Sequence, residues 1–163
     1  MENRKQKNDD ISVYIADQEY IANIYVRKCF TVTMLMYSIV FGLNLAGVFI
    51  INGRIMWSAY LASMCIYLAV YIGSRFSSLS KEYIKYTMMT SIVVVITITG
   101  VFLTYHAVFL SLLPFLYCML YSSKKIMRYV YFLTVISTVI IVYGGYYWGV
   151  CDANMVLLTA ESI

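Results

Sequence analysis

Residues 86–123 read YTMMTSIVVVITITGVFLTYHAVFLSLLPFLYCMLYSS, 38 consecutive positions without a formal charge. As one α-helix this run would be about 57 Å long, against a bilayer hydrocarbon core of about 30 Å. It must therefore turn back once. The turn is expected between Gly100 and His106, which are the run's only glycine and only histidine, because near-spanning lengths then remain on both sides.

The neighbouring charge-free gaps have the length of single spans. They are CFTVTMLMYSIVFGLNLAGVFIING over 29–53, IMWSAYLASMCIYLAVYIGS over 55–74 and YVYFLTVISTVIIVYGGYYWGV over 129–150. Each charge at the centre of a spanning helix costs about 2.5–3.5 kcal/mol, so charged residues punctuate the spans. The sequence predicts an all-α, polytopic membrane helix bundle of five transmembrane helices, at about 29–51, 55–74, 84–103, 106–122 and 127–150. The whole composition agrees. Of 163 residues, 62% are hydrophobic and 12% charged, with mean hydropathy +0.77. Soluble domains run at about 45–50% apolar and about 25% charged, and so few charges cannot coat a water-soluble exterior. A disordered chain is excluded by the 17% aromatic content, and a disulfide scaffold by the count of four cysteines.

Basic residues set the orientation, because short cytoplasmic loops retain Lys and Arg. Arg4, Lys5, Lys7, Arg27, Lys28, Arg75, Lys81, Lys85, Lys124, Lys125 and Arg128 fall on one side, and Arg54 alone on the other. The N-terminus is expected in the cytoplasm and the C-terminus outside. This topology already accounts for the basic loops, so anionic lipid of the bilayer, not nucleic acid, is their expected partner. The polar opening MENRKQKNDD has no apolar core behind it and is not a cleavable signal. Residues 1–28 read as a cytoplasmic tail and an amphipathic helix, with Ser12, Glu19, Asn23 and Arg27 recurring at helical spacing on its polar face. An interfacial helix and a soluble helix packed on a partner or on the basic loops are both consistent with that pattern.

Trp57, Tyr86, Tyr121, Tyr129, Tyr146, Tyr147 and Trp148 fall at expected span ends, where amphipathic rings favour headgroup depth. Tyr60, Tyr67 and Tyr117 do not, and read as apolar fillers or as interhelical hydrogen-bonders. All eight acidic residues lie outside the expected spans. No pair of carboxylates at helical spacing, HExxH, phosphate loop or dinucleotide fingerprint is present, which argues against an enzyme and against ion-coupled transport. No cofactor or metal is expected. A lone histidine, His106, does not make a metal site, and reads as a solvated turn residue or a pH-sensitive contact. Pro114 should kink the fourth helix. Cys29, Cys65 and Cys118 read as small apolar residues, and Cys151 as external without a partner. Gly42 with Ala46, and Gly144 with Gly145, would permit close helix contact, and Asn44 would bridge helices or satisfy its own backbone.

The order TYHAVFLSLLPFLYCMLYSSKK over 104–125, followed by YGGYYWGVCDANMVLLT over 143–159, resembles the N-terminal multi-pass membrane region of bacterial signalling proteins. In those proteins the region precedes a diguanylate cyclase or hybrid histidine kinase module. The resemblance implies a sensory input domain in the bacterial plasma membrane, able to form a homodimer and to relay an external or membrane signal by helix movement. Its output module would lie beyond this sequence. Five helices leave the C-terminus outside, so a sixth crossing is expected, with residues 151–163 as an external tail approaching it. The polar groups gathered on the outer face, Tyr105, His106, Asp152 and Asn154, are the candidate residues for an unidentified external ligand. Loop solvation and helix capping are the alternative roles for each. A small transporter or channel-like facilitator, or a structural membrane subunit, remains the alternative function.

Overall fold

The computed structural model describes residues 2–48, 52–76, 81–102 and 105–147. All of the described elements are helical: α1 (Glu2–Leu45), α2 (Gly53–Phe76), α3 (Lys81–Phe102), a 3-10 helix Tyr105–Leu112, α4 (Leu113–Cys118), a 3-10 turn Met119–Tyr121 and α5 (Lys124–Tyr147). Four stretches are long and apolar enough to cross a membrane: Gln18–Leu45, Gly53–Arg75, Tyr83–Phe102 and Lys124–Gly144. A shorter apolar stretch, Phe109–Tyr121, accompanies them.

The expected boundary between an interfacial helix and a first span is absent. Glu2–Leu45 is one unbroken helix of 44 residues, about 66 Å long. It ends in a Schellman turn. Val48 N–H donates to Leu43 C=O and Gly47 N–H to Asn44 C=O, both at 3.0 Å, with Gly47 at φ +78°, the left-handed cap position that glycine fills without steric cost.

Side-chain pairs fix the relative directions of the helices. Along α1 and α2 the contacts are Arg27 with Tyr71, Thr31 with Tyr67, Ser38 with Tyr60 and Phe41 with Trp57. Each step forward on α1 matches an equal step back on α2, so the pair is antiparallel. Along α3 and α5, Thr90 meets Tyr129, Thr97 meets Ser137 and Gly100 meets Ile141. Here both numbers climb together. Helices α3 and α5 are therefore parallel, and residues 105–121 return the chain from the end of one to the start of the other.

That return is short, and its winding compensates. Seventeen residues of ordinary α-helix would extend about 26 Å, whereas with 3-10 geometry over Tyr105–Leu112 and Met119–Tyr121 the same residues reach about 31 Å. The expected fourth helix, 106–122, is thus a composite of three short pieces. Pro114 is buried in the first turn of α4, directly after the 3-10 helix Tyr105–Leu112, and the change of winding occurs beside it. Gly100 is not part of the turn. It lies inside α3 and lets Ile141 approach, since a Cβ there would stand 2.7 Å from that side chain.

Helix α3 is the centre of the bundle, 56% of its apolar stretch being buried against 17% for α2. Val26, Met34, Met56, Met89, Ile92, Ile126 and Val130 form the core around it. The outward faces are also apolar, with Leu35, Ile39, Leu61, Ile72, Phe132 and Ile136 all exposed. Such continuous apolar flanks suit lipid and not water. Among the described residues nothing packs against Gly42, while Asn44 is buried.

Tyr60, Tyr67 and Tyr117 have a common role. Ser38, Thr31 and Thr33 each donate their single hydroxyl proton to the carbonyl four residues back, so the tyrosine opposite must donate to them, at 2.9, 3.0 and 2.8 Å. Tyr129 and Thr90 repeat the arrangement between α3 and α5. Such interhelical bonds contribute about 0.6 kcal/mol each on average in a bilayer.

Candidate functional site at the basic end of the bundle

Glu19, Asn23 and Arg27 succeed one another at four-residue spacing, so a helix stacks them on one face. The sequence pattern marked these residues as the polar face of an amphipathic helix. The structure turns it inward. Tyr20, Ile21 and Tyr25 are more than half exposed, whereas Ala22, Asn23 and Val26 are buried. This inverted arrangement suits a helix surrounded by lipid and headgroups, with its polar groups satisfied inside the protein.

Each rung of the stripe engages a different element. Lys85 Nζ of α3 donates to Glu19 Oε1 at 2.6 Å, with the lysine side chain 7% and the glutamate 23% exposed. Tyr121 Oη, closing the return segment, donates to Asn23 Oδ1 at 2.8 Å. The Arg27 guanidinium lies over the Tyr71 ring of α2 at 5.7 Å. Lys85 Nζ also lies 5.7 Å from the centre of the Tyr86 ring, so its charge meets both a carboxylate and an aromatic face.

Local sequence explains how each partner arrives. Lys85 stands one turn into α3 and reaches back along apolar neighbours to the end of the bundle. Tyr121 is the last helical residue before Ser122, whose φ of 49° reverses the chain into α5. One longitudinal shift or rotation of α1 must alter all three contacts together. They join α1 to α2, α3 and the return segment, and α1 continues past them as residues 2–17, about 24 Å of helix.

Tyr105 and His106 open the 3-10 helix after α3, and only their backbone lies within the description. Asp152 and Asn154 lie outside the described residues, as does Cys151. Among the described residues no group of His, Cys, Asp and Glu could hold a metal ion. Glu19, Asn23, Lys85 and Tyr121 were missed as a set, although the first two were visible as a polar spacing and Lys85 as a charge just inside a span. Their meeting depends on separations of 66 and 98 residues, which local pattern does not encode. No protein-family signature matches the chain, and comparison with curated proteins and with solved structures gives no match.

Proposed function

We propose that this chain is a membrane-embedded sensory input domain of a bacterial signal-transduction protein, crossing the plasma membrane five times and relaying its signal through movement of α1. The observation that carries the reading is the inward polar stripe Glu19, Asn23 and Arg27, tied to three elements on a helix that continues beyond the bundle. The parallel course of α3 and α5, with residues 105–121 returning between them, supports five crossings. The gathering of Lys28, Arg75, Lys85 and Lys124 at the end opposite Arg54 supports a cytoplasmic N-terminus. Signalling itself is taken from the sequence resemblance, and the relay from the lever-like course of α1.

A second reading, a small facilitator, is favoured by one feature. The Tyr37, Ser63 and Thr99 side chains bring their hydroxyl groups together in the bundle interior, where Tyr37 and Ser63 are buried. One experiment separates the two. Spin labels at Ser12 and Ser122, in a variant with its native cysteines replaced, are measured in bilayers of short- and long-chain phosphatidylcholine, alongside solute flux into vesicles. A relay changes the label separation with bilayer thickness, changes it further in Glu19→Gln, and gives no flux. An invariant separation combined with flux would establish the facilitator.

A further inference from the structure

Tyr105–Leu112 keeps 3-10 winding for 8 residues, although runs beyond about 3–4 are uncommon, because i→i+3 bonds are poorly aligned and side chains three apart eclipse one another. Two nearby residues bear on that winding in opposite senses. Ser111 is buried, and its hydroxyl has no acceptor. In the α-helices, by contrast, Thr87, Thr90, Ser91, Thr97, Thr99 and Thr138 each donate to the carbonyl four residues back. Wound as α-helix, the segment would offer Ser111 the same kind of acceptor, the carbonyl of Ala107. Pro114 opposes this change. Continuous α-winding from Tyr105 would drive its ring toward the carbonyl of Leu110, whereas the present change of winding leaves it in the first turn of α4.

We propose that the return segment is a strut of adjustable length, whose Tyr105–Leu112 part converts from 3-10 to α winding as the bilayer thins and back again as it thickens. The conversion shortens the segment by about 4 Å, which matches the few-ångström differences in thickness between membranes. A simple helix would meet such a mismatch by tilting. This segment is tied to α1 at two levels, Tyr117 to Thr33 and Tyr121 to Asn23, and tilting would break those bonds. A change of winding above them keeps both. The ties also carry the length change to α1, because Asn23 belongs to its inward polar stripe. Ser111 thus draws the segment toward the short form and Pro114 holds it in the long one, which gives two states of similar stability in one stretch of chain. The use of this strut in signalling rests on the relay proposed above. The conversion itself requires only that the segment crosses the bilayer.

The test uses the full chain with its native cysteines replaced, carrying spin labels either at Phe109 and Leu112 or at Phe109 and Leu113, in short- and long-chain phosphatidylcholine bilayers. Phe109 and Leu112 are both exposed, so labels there leave the core intact. In 3-10 winding the pair three apart is the closer, whereas in an α-helix pairs three and four apart are about equally close. Dipolar broadening should therefore favour the 109/112 pair in long-chain lipid and approach equality in short-chain lipid. Ser111→Ala should shift the balance toward 3-10 winding about tenfold, while Ser111→Thr, which keeps the hydroxyl, should still convert. Pro114→Ala should shift it toward α winding about tenfold or more. The same broadening ratio in both bilayers would overturn the strut. So would a shift in one direction by both Ser111→Ala and Pro114→Ala. Thickness-dependent winding with a constant separation between labels at Ser12 and Ser122 would uphold the strut and remove the relay through α1. A changing separation with constant winding would do the reverse.

Discussion

At the scale of single residues, the ion pair at the basic end has unequal partners. Removing Glu19 leaves the ammonium of Lys85, 7% exposed, without a counter-charge, whereas removing Lys85 leaves a carboxylate that is 23% exposed and can reach water. Glu19→Ala should therefore cost about 3 kcal/mol and Lys85→Met about 1 kcal/mol or less, measured by reversible unfolding in mixed micelles. Equal losses would show that the pair is solvated on both sides. Local spacing revealed that Glu19, Asn23 and Arg27 share a face. It did not reveal which way that face points, because polarity inward is the correct arrangement in lipid and the wrong one in water. The tyrosines followed the same rule. Tyr60, Tyr67 and Tyr117 were legible as residues away from span ends, but their Ser and Thr partners lie on a distant helix.

At the scale of elements, close packing of α3 on α5 depends on an absent side chain. A Cβ at Gly100 would meet Cδ1 and Cγ1 of Ile141 at 2.7 Å, and Ile141 is fully buried with a stiff, β-branched χ1. Gly100→Ala should destabilise the chain by about 1–3 kcal/mol, despite gaining up to about 1 kcal/mol in helix propensity. Pairing it with Ile141→Val should recover much of the loss, a coupling that a double-mutant cycle would read directly. The length of the charge-free run showed that the chain turns back, and the described helices on either side end at Phe102 and begin at Tyr105. It assigned Gly100 to the turn because glycine is a good turn former. The structure gives it to a helix contact, and the need for that contact is set by a residue 41 positions away that no local window contains. The 3-10 winding of the return segment was equally invisible, since hydropathy counts residues and not their rise.

At the scale of the whole molecule, the parallel and antiparallel relations require Asn52, between α1 and α2, and Ser122, before α5, to lie at opposite ends of the bundle. Both are exposed. In right-side-out bacterial spheroplasts, and in a background free of native cysteines, Asn52→Cys should react with an impermeant maleimide. Ser122→Cys should react only after permeabilisation. Reaction of both from outside would remove the five-crossing topology. Three of the four charge-free gaps are bounded by Lys or Arg at both ends and the fourth begins after Arg128, which is why the long helices could be read from charge alone. The expected division at residue 28 falls inside one continuous helix, Glu2–Leu45, because a charge can end an apolar run without ending the helix that carries it.

The composite return segment also restricts how this chain can change length. With only 17 residues between the start of the 3-10 helix and Tyr121, deleting a single turn would leave it about 5 Å too short for the distance its neighbours span. An insertion of three or four residues would be absorbed by relaxing the 3-10 turns to ordinary α-helix. Tolerance of insertion and intolerance of deletion should thus be lopsided here, in a chain whose other helices have residues to spare.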